Sequence, residues 1–509
     1  MLSKITSAAI VGLSAIPITI EVDIASQGLP HFIIVGLPDK SVDEAKERVK
    51  SAIRNSGFEF PNKKITINLA PGDIPKEGSR YDLPIALGIL LSSGQIKDPV
   101  SSTLVYGELS LDGCIRPCTG SVLFTILAKE QNFEKLLVPK DNAEEASLIE
   151  GPIIHACETL AQIVQYLNHE QNLENYIRIS QLVPTRTTGH TVDMSDIQGQ
   201  FQVKRALEIS AAGGHNMIMI GSPGAGKTML ARAFPTILPD ISSDESLELT
   251  KLYSVSGNTS AHTPLVSARP FRHPHHTGSV PSIIGGGSIP KPGEISLAHR
   301  GVLFLDEFLE FSKIILESLR QPLEDGEITI SRAATTVTFP AKFILLAACN
   351  PCPCGFAYST DSRKQCSCTG LQVQRYKKRL SGPILDRIDL QIKVKSVPVH
   401  ELTTETPSER SEHIKQRVEK ARTLQRNRFV KSNLLTNAEM TTHDIKKFCK
   451  LDEDAQSLAT QAISRLQLSA RSYYRIIKIA RTIADLSDEE IITKKHIAES
   501  LQYRFADSL

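Results

Sequence analysis

The sequence has almost no net charge: 58 Lys and Arg stand against 56 Asp and Glu, which leaves +2 over 509 residues. Any surface for nucleic acid must therefore be local. No stretch approaches the roughly 20 uninterrupted apolar residues that span a bilayer. Residues 8–20 come nearest, but Pro17 interrupts them and Ile18–Ile24 alternates apolar with acidic or polar side chains, as a half-buried strand does. No small-residue cleavage site follows cleanly, so a secretory leader is not expected, and the chain reads as cytoplasmic with no membrane partner. Repeats and low-complexity tracts are absent. The nine cysteines are odd in number and five crowd between Cys349 and Cys368, which argues against a secreted disulfide framework.

What is present is ordinary globular composition, 41% hydrophobic and 22% charged, in a chain long enough for about three domains. Residues 1–167 mix strands and helices. Ser41–Glu44 reads as a capping box, with Val42, Ala45, Val49 and Ile53 on one helix face and Gly57 as the stop. Strand-like runs follow at Ile65–Leu69, Thr103–Tyr106 and Leu136–Val138. Residues 168–192 read as a linker. From 193 to 397 strands and helices alternate, which predicts an α/β core with a parallel sheet. Residues 398–509 are mainly helical, with periodic stretches at Ser411–Val430, Arg471–Leu486 and Thr493–Arg504.

The strongest motif is a strand, Asn216–Ile220, followed at once by Gly221, Ser222, Pro223, Gly224, Ala225, Gly226, Lys227 and Thr228, and then by a helix. Such a glycine-rich turn aims backbone N–H groups at phosphate oxygens. Lys227 would reach the β- and γ-phosphates of ATP, and Thr228 would ligate Mg²⁺. Gly301–Leu305 is an apolar strand ending in Asp306 and Glu307, suited respectively to the Mg²⁺ shell and to polarising the attacking water. A third strand ends at Asn350, which could sense the γ-phosphate or simply start a turn before Pro351.

Pro292–Phe308, Arg269–Thr277, Asn350–Gly355, Ser381–Asp389 and Ala480–Leu486 together resemble the magnesium chelatase-like AAA+ ATPases, most closely the bacterial competence members, over nearly the full length. That resemblance implies a homohexameric helicase driving branch migration of recombination intermediates during natural transformation, with single-stranded and branched DNA and recombination proteins as partners. It gives Arg387 the role of a finger reaching the neighbouring subunit's nucleotide. It gives Arg471 that of a second sensor contacting ATP from the C-terminal lid. The N-terminal domain resembles the proteolytic domain of Lon (S5-like α+β), in which a serine is activated by a lysine. Here Arg80 stands at the serine's position, one residue past Ser79, and Val122 stands at the lysine's. A protease-shaped module without its dyad is expected.

The excursion over residues 254–292 carries Arg272, His273, His275, His276 and Lys291. In related motors an insert here projects into the central channel, so these residues are DNA candidates; a His-Pro-His-His metal site or a merely structural loop are the alternatives. Gly326–Arg332 and Thr335–Phe339 read as a hairpin with Arg332 near its tip, where a cation would track phosphates without regard to sequence. Cys352, Cys354, Cys366 and Cys368 form Cys-x-Cys twice, enough to enclose a structural Zn²⁺ or else four plain thiols. The basic run 410–431 is either a solvated helix face or a contact for DNA or a neighbouring subunit. Three rival functions remain: a chelatase-type motor remodelling a protein partner, an ATP-dependent protease, and a non-catalytic DNA scaffold.

Overall fold

The computed structural model describes residues 2–504 other than 28, 178–191, 260–263, 288–289, 333–335, 358–364, 380–381, 398–407, 433 and 467–468. Most of the expected 168–192 linker thus lies outside the described residues. The chain forms two compact units, one of Met1–Pro184 with Ser243–Val266, the other of Thr185–Ser242 with Ser267–Leu509.

In the first unit, alternating sequences build a seven-stranded sheet in the order His31–Val35, Lys64–Ala70, Ser14–Ile24, Leu2–Val11, Thr103–Val105, Lys135–Pro139, Ile153–Cys157. The alternation at Ile18–Ile24 does its expected work: Ile18, Ile20 and Val22 are buried in one core with helices Lys40–Asn55 and Asp82–Ser92. A second core gathers Leu104, Tyr106, Phe124, Leu127 and Leu136. Helix Lys40–Asn55 buries Val42, Ala45, Val49 and Ile53 as its periodicity predicts. The expected capping box is corrected, however. The N-cap is Asp39, whose carboxylate accepts from the Val42 N–H at 2.8 Å and from the Ser41 hydroxyl at 3.0 Å. An acceptor-only carboxylate takes both donors, so Ser41 is left inside the first turn.

The 193–397 stretch is not one continuous core. Residues 243–266 leave it for the first unit, where helix Ser243–Ser256 buries Leu249 and Leu252. There the Ser254 hydroxyl donates to the Glu145 carboxylate at 2.5 Å. Burial raises the Glu145 pKa, and Ser254 and the Val122 N–H are among the donors that oppose the rise.

The second unit carries an all-parallel five-stranded sheet in the order Phe271–Arg272, Val302–Leu305, Ile344–Cys349, Met217–Gly221, Leu390–Val394. Three of these strands are apolar runs buried along their whole length, as a sheet covered on both faces requires. Helix Phe201–Gly213 packs on it with helices Ser411–Phe429 and Ala470–Leu486, through Leu207, Val418, Ile479 and Ile483. A further helical cluster joins Thr442–Phe448, Glu453–Leu466 and Lys494–Leu501 to the other face of Ala470–Leu486. No described helix is long and apolar enough to cross a membrane.

Candidate ATP site

Parallel strands deliver their C-terminal ends to one edge of the sheet, and the residues expected to handle phosphate gather there. Gly224 (φ +78°) and Gly226 (φ +87°) take left-handed turns that a side chain would strain, which lets successive N–H groups face one hollow. Pro223–Thr228, Asp306, Glu307, Cys349 and Asn350 line a cleft of about 400 Å³. Lys227 is buried, and its Nζ donates to the carbonyls of Gly221 (2.6 Å) and Ser222 (3.1 Å) and to Asn350 Oδ1 (3.2 Å). Burial lowers its pKa, while Asp306, Cys349 and Glu307 oppose that shift. A phosphate oxygen is a stronger acceptor for this ammonium than the neutral carbonyls it now holds. The Thr228 hydroxyl donates to Asp306 Oδ2 at 2.7 Å, so one hydroxyl and one carboxylate oxygen already converge as hard ligands for Mg²⁺.

Glu307 sits at φ +51°, an uncommon conformation for a residue with a side chain, directly after the Asp306 strand. Its carboxylate lies 3.0 Å from His276 Nδ1. His276, one of the DNA candidates, thus lies against Glu307 beside the cleft. His273 stacks its ring 4.7 Å from Phe304, and His275 bonds Thr277 at 2.7 Å. Arg272 lies on the edge strand and pairs with Glu294 through two 2.6 Å contacts, so its charge is already matched within the unit. Among the described residues, the histidines form no metal-binding cluster.

The remaining DNA candidates come together. Lys291 and Arg332 are both exposed. The short ladder Gly285–Gly286 with Lys291–Pro292 meets the hairpin Glu327–Ser331/Thr336–Pro340: a Cβ built on Gly286 would lie 3.0 Å from the Arg332 guanidinium, and one on Gly285 2.6 Å from Ile330. The hairpin tip at 333–335 lies outside the described residues. Four of the eight Lys and Arg in the basic run 410–431 are tied within their own unit. Lys415 pairs with Asp240, Arg417 with Glu208 and Glu409, Arg428 with Asp485, and Arg422 donates to the Ala211 carbonyl.

Arg387 and Arg471 lie at the opposite sheet edge. Asp389 N–H donates to the Asn216 carbonyl just before the strands Met217–Gly221 and Leu390–Val394 begin. Five residues of strand, roughly 16 Å, therefore separate this edge from the chain's own phosphate loop. Both arginines engage the same Glu324, Arg471 at 3.4 Å. Helix Ala470–Leu486, which carries Arg471, is anchored at this far edge, where Arg475 and His215 (3.1 Å) both bond Asp389. Burial would raise the Asp389 pKa, but Arg475 and His215 outweigh it and hold the carboxyl well below the ordinary range. Glu324 and the Asp389 cluster escaped sequence reasoning because nothing local marks them. His276 did stand inside a recognised motif.

Cys352, Cys354, Cys366 and Cys368 bring their Sγ atoms within 4.8 Å of one another. In the first unit, Arg80 lays its guanidinium over the Phe124 ring (5.5 Å), Val122 is buried, and the Ser79 hydroxyl donates to Glu108. No lysine meets Ser79 in a described contact.

Family profiles described as magnesium chelatase subunit ChlI match residues 193–402 and 20–142, and one for its C-terminal part matches 408–504. The chain is 44% identical to the YifB protein of Escherichia coli over 100% of its own length and 98% of the relative. It is 44% identical to the competence protein ComM of Haemophilus influenzae over 99% and 97%. Similarity to the magnesium-chelatase 38 kDa subunit of Cereibacter sphaeroides is 26%, over 31% of this chain and 52% of that one.

Proposed function

Because the chain belongs to the magnesium chelatase-like AAA+ family, and is an ATPase as that family is, we propose that it works as a ring motor, a homohexamer, whose subunits complete one another's ATP sites. The observation that carries this is the separation of its parts: phosphate loop, Asp306, Glu307 and Asn350 at one sheet edge, Arg387 and Arg471 at the other. A head-to-tail ring brings one subunit's far edge to the next subunit's near edge. On ATP entry Lys227 exchanges its carbonyl partners for phosphate oxygens and frees Asn350 to hold the γ-phosphate or the water. Thr228 and Asp306 fit a Mg²⁺, which when bound supplies positive charge beside the β- and γ-phosphates. Glu307 polarises the attacking water, and the neighbour's Arg387 and Arg471 meet the charge that develops on the transferred group.

The cargo we infer is DNA, single-stranded or branched, with branch migration as the work done. Two things support it: full-length similarity to a competence protein, and the exposed cations Lys291 and Arg332 on adjoining inserts. A phosphate-tracking grip needs only such cations and is sequence-independent. The family descriptions favour a second reading more directly, a chelatase-type motor that remodels a protein partner. We assign the first unit a Lon-like fold used for assembly or guidance, since Arg80 and Val122 leave no nucleophile–lysine pair for proteolysis. ATP turnover measured with and without forked and four-way DNA separates the cargoes. DNA should stimulate turnover, and turnover indifferent to DNA, with no junction binding, would leave the chelatase-type motor.

A further inference from the structure

We propose that Cys352, Cys354, Cys366 and Cys368 hold one Zn²⁺, and that this centre sets the position of the phosphate loop and of Asn350; the second half of the proposal rests on the ATP-site reading above. The four cysteines are free thiols. Sγ–Sγ separations are 3.3 Å for Cys352–Cys354, 3.7 Å for Cys352–Cys366 and 3.5 Å for Cys354–Cys366. Four thiolates at zinc–sulfur bonds of ~2.3 Å stand about 3.8 Å apart along a tetrahedron's edges, close to these values. Four protein ligands leave no open position, so the centre is structural and offers no site for a reacting water. Cys352 is fully buried, which ties the centre into the unit.

Its place in the chain gives it leverage on catalysis. Strand Ile344–Cys349 ends at Asn350, and the first ligand follows two residues later. The Gly355 N–H then donates to the Cys352 carbonyl at 2.9 Å, closing a turn around Cys354. That turn rests directly on the phosphate loop. A Cβ built on Gly355 (φ +86°) would fall 2.5 Å from the Pro223 ring and 3.8 Å from the Asn350 side chain. Pro223 and Asn350 both line the ATP cleft, and Asn350 takes a hydrogen bond from Lys227. A metal that cross-links this turn to Cys366 and Cys368 therefore fixes one wall of the cleft, and its loss releases that wall.

Metal analysis of the purified full-length protein should find one zinc per chain. Replacement by Co²⁺ should give the intense thiolate-to-cobalt charge-transfer and visible d–d bands of a tetrahedral four-sulfur site. C352S and C366S should lose the metal, and C366H, which keeps a ligand, should retain it. Stripping zinc from the wild type with a chelator should weaken binding of a fluorescent ATP analogue by about tenfold to a hundredfold, the usual worth of one hydrogen bond to a charged group, and added zinc should restore it. G355A, which leaves every thiol in place, should keep one zinc per chain yet weaken the analogue similarly. Metal-free protein with four freely reactive thiols in the folded state overturns the site. A zinc site whose removal and whose G355A neighbour both leave analogue affinity unchanged overturns the coupling. Failure of the ATP-site reading looks different: zinc-loaded wild type and K227A would bind the analogue equally.

Discussion

Arg387→Ala tests the claim that each ATP site is finished by a neighbour. In the isolated chain Arg387 pairs with Glu324, which is 48% exposed and keeps Arg471 within 3.4 Å after the substitution. Arg387 itself is largely buried, but the carboxylate left behind is half exposed with a second cation still near it, so folding stability should fall by about 1–2 kcal/mol. ATP affinity should barely move, because Lys227 and the glycine turn at the other sheet edge are untouched. Hydrolysis should fall by about 10³–10⁵, the usual worth of an arginine finger. That is roughly 4–7 kcal/mol of transition-state stabilisation, more than the effect on the fold. Mixing with Lys227→Ala is the decisive step. A site is whole where an R387A subunit, with its intact phosphate loop, receives Arg387 from a K227A subunit. With random head-to-tail assembly of an equimolar mixture this holds at about a quarter of interfaces. Steady-state phosphate release should therefore rise from near zero to a substantial fraction of wild type on mixing two inactive proteins. Mixed rings verified by cross-linking that stay inactive at every ratio would refute action in trans. So would an R387A protein that has lost ATP binding.

Glu307→Gln keeps the acid's shape but removes the charge that polarises water, so it should bind ATP and Mg²⁺ like wild type while turnover drops at least about a hundredfold in single-turnover assays. On a four-way junction that variant should bind at least as tightly as wild type without moving the branch point, as strand displacement would show. Asp389→Asn breaks a buried pairing and should cost about 3–5 kcal/mol in unfolding measurements at pH 7. The native Asp389 pKa lies below its unfolded value, so its stabilisation is complete above about pH 4 and is lost as pH falls below that. The gap in melting temperature between wild type and D389N should accordingly narrow on acidification. Arg332→Ala should weaken junction binding at low salt and reduce the slope of log affinity against log salt by about one, without altering basal ATPase.

Features fixed by local chemistry could be read from the sequence. The phosphate loop needs its glycines, lysine and threonine in order between a strand and a helix, and Gly224, Gly226, Lys227 and Thr228 stand as expected. Apolar runs ending in Asp306–Glu307 and Asn350 announced buried parallel strands, and the sheet places all three at the cleft. Cys-x-Cys taken twice anticipated four thiols in one cluster. One local feature was misread: Ser41 fits a capping pattern as well as any serine, but the Asp39 carboxylate two residues earlier caps the helix. Features fixed by distant partners could not be read. Arg272 looked like a free cation until Glu294, twenty-two residues on, was brought against it. Periodicity says that the helix carrying Arg471 exists, but not where it points: the anchor that aims it is the buried Asp389 contact with Arg475, far away in sequence.

The excursion of residues 243–266 into the first unit bears on how this protein is made. Synthesis runs from the N-terminus at about 5–20 residues per second, and domains ordinarily fold as they emerge. Here the first unit still lacks part of its packing at residue 184, because helix Ser243–Ser256 and its Ser254 donor to buried Glu145 have not yet been translated. By the time residue 266 appears, the phosphate loop at 221–228 has already been made and must wait for the strands that will flank it. A nascent chain halted before residue 243 should leave the Glu145 carboxylate without its Ser254 donor, and should be the species that protease or chaperone captures first.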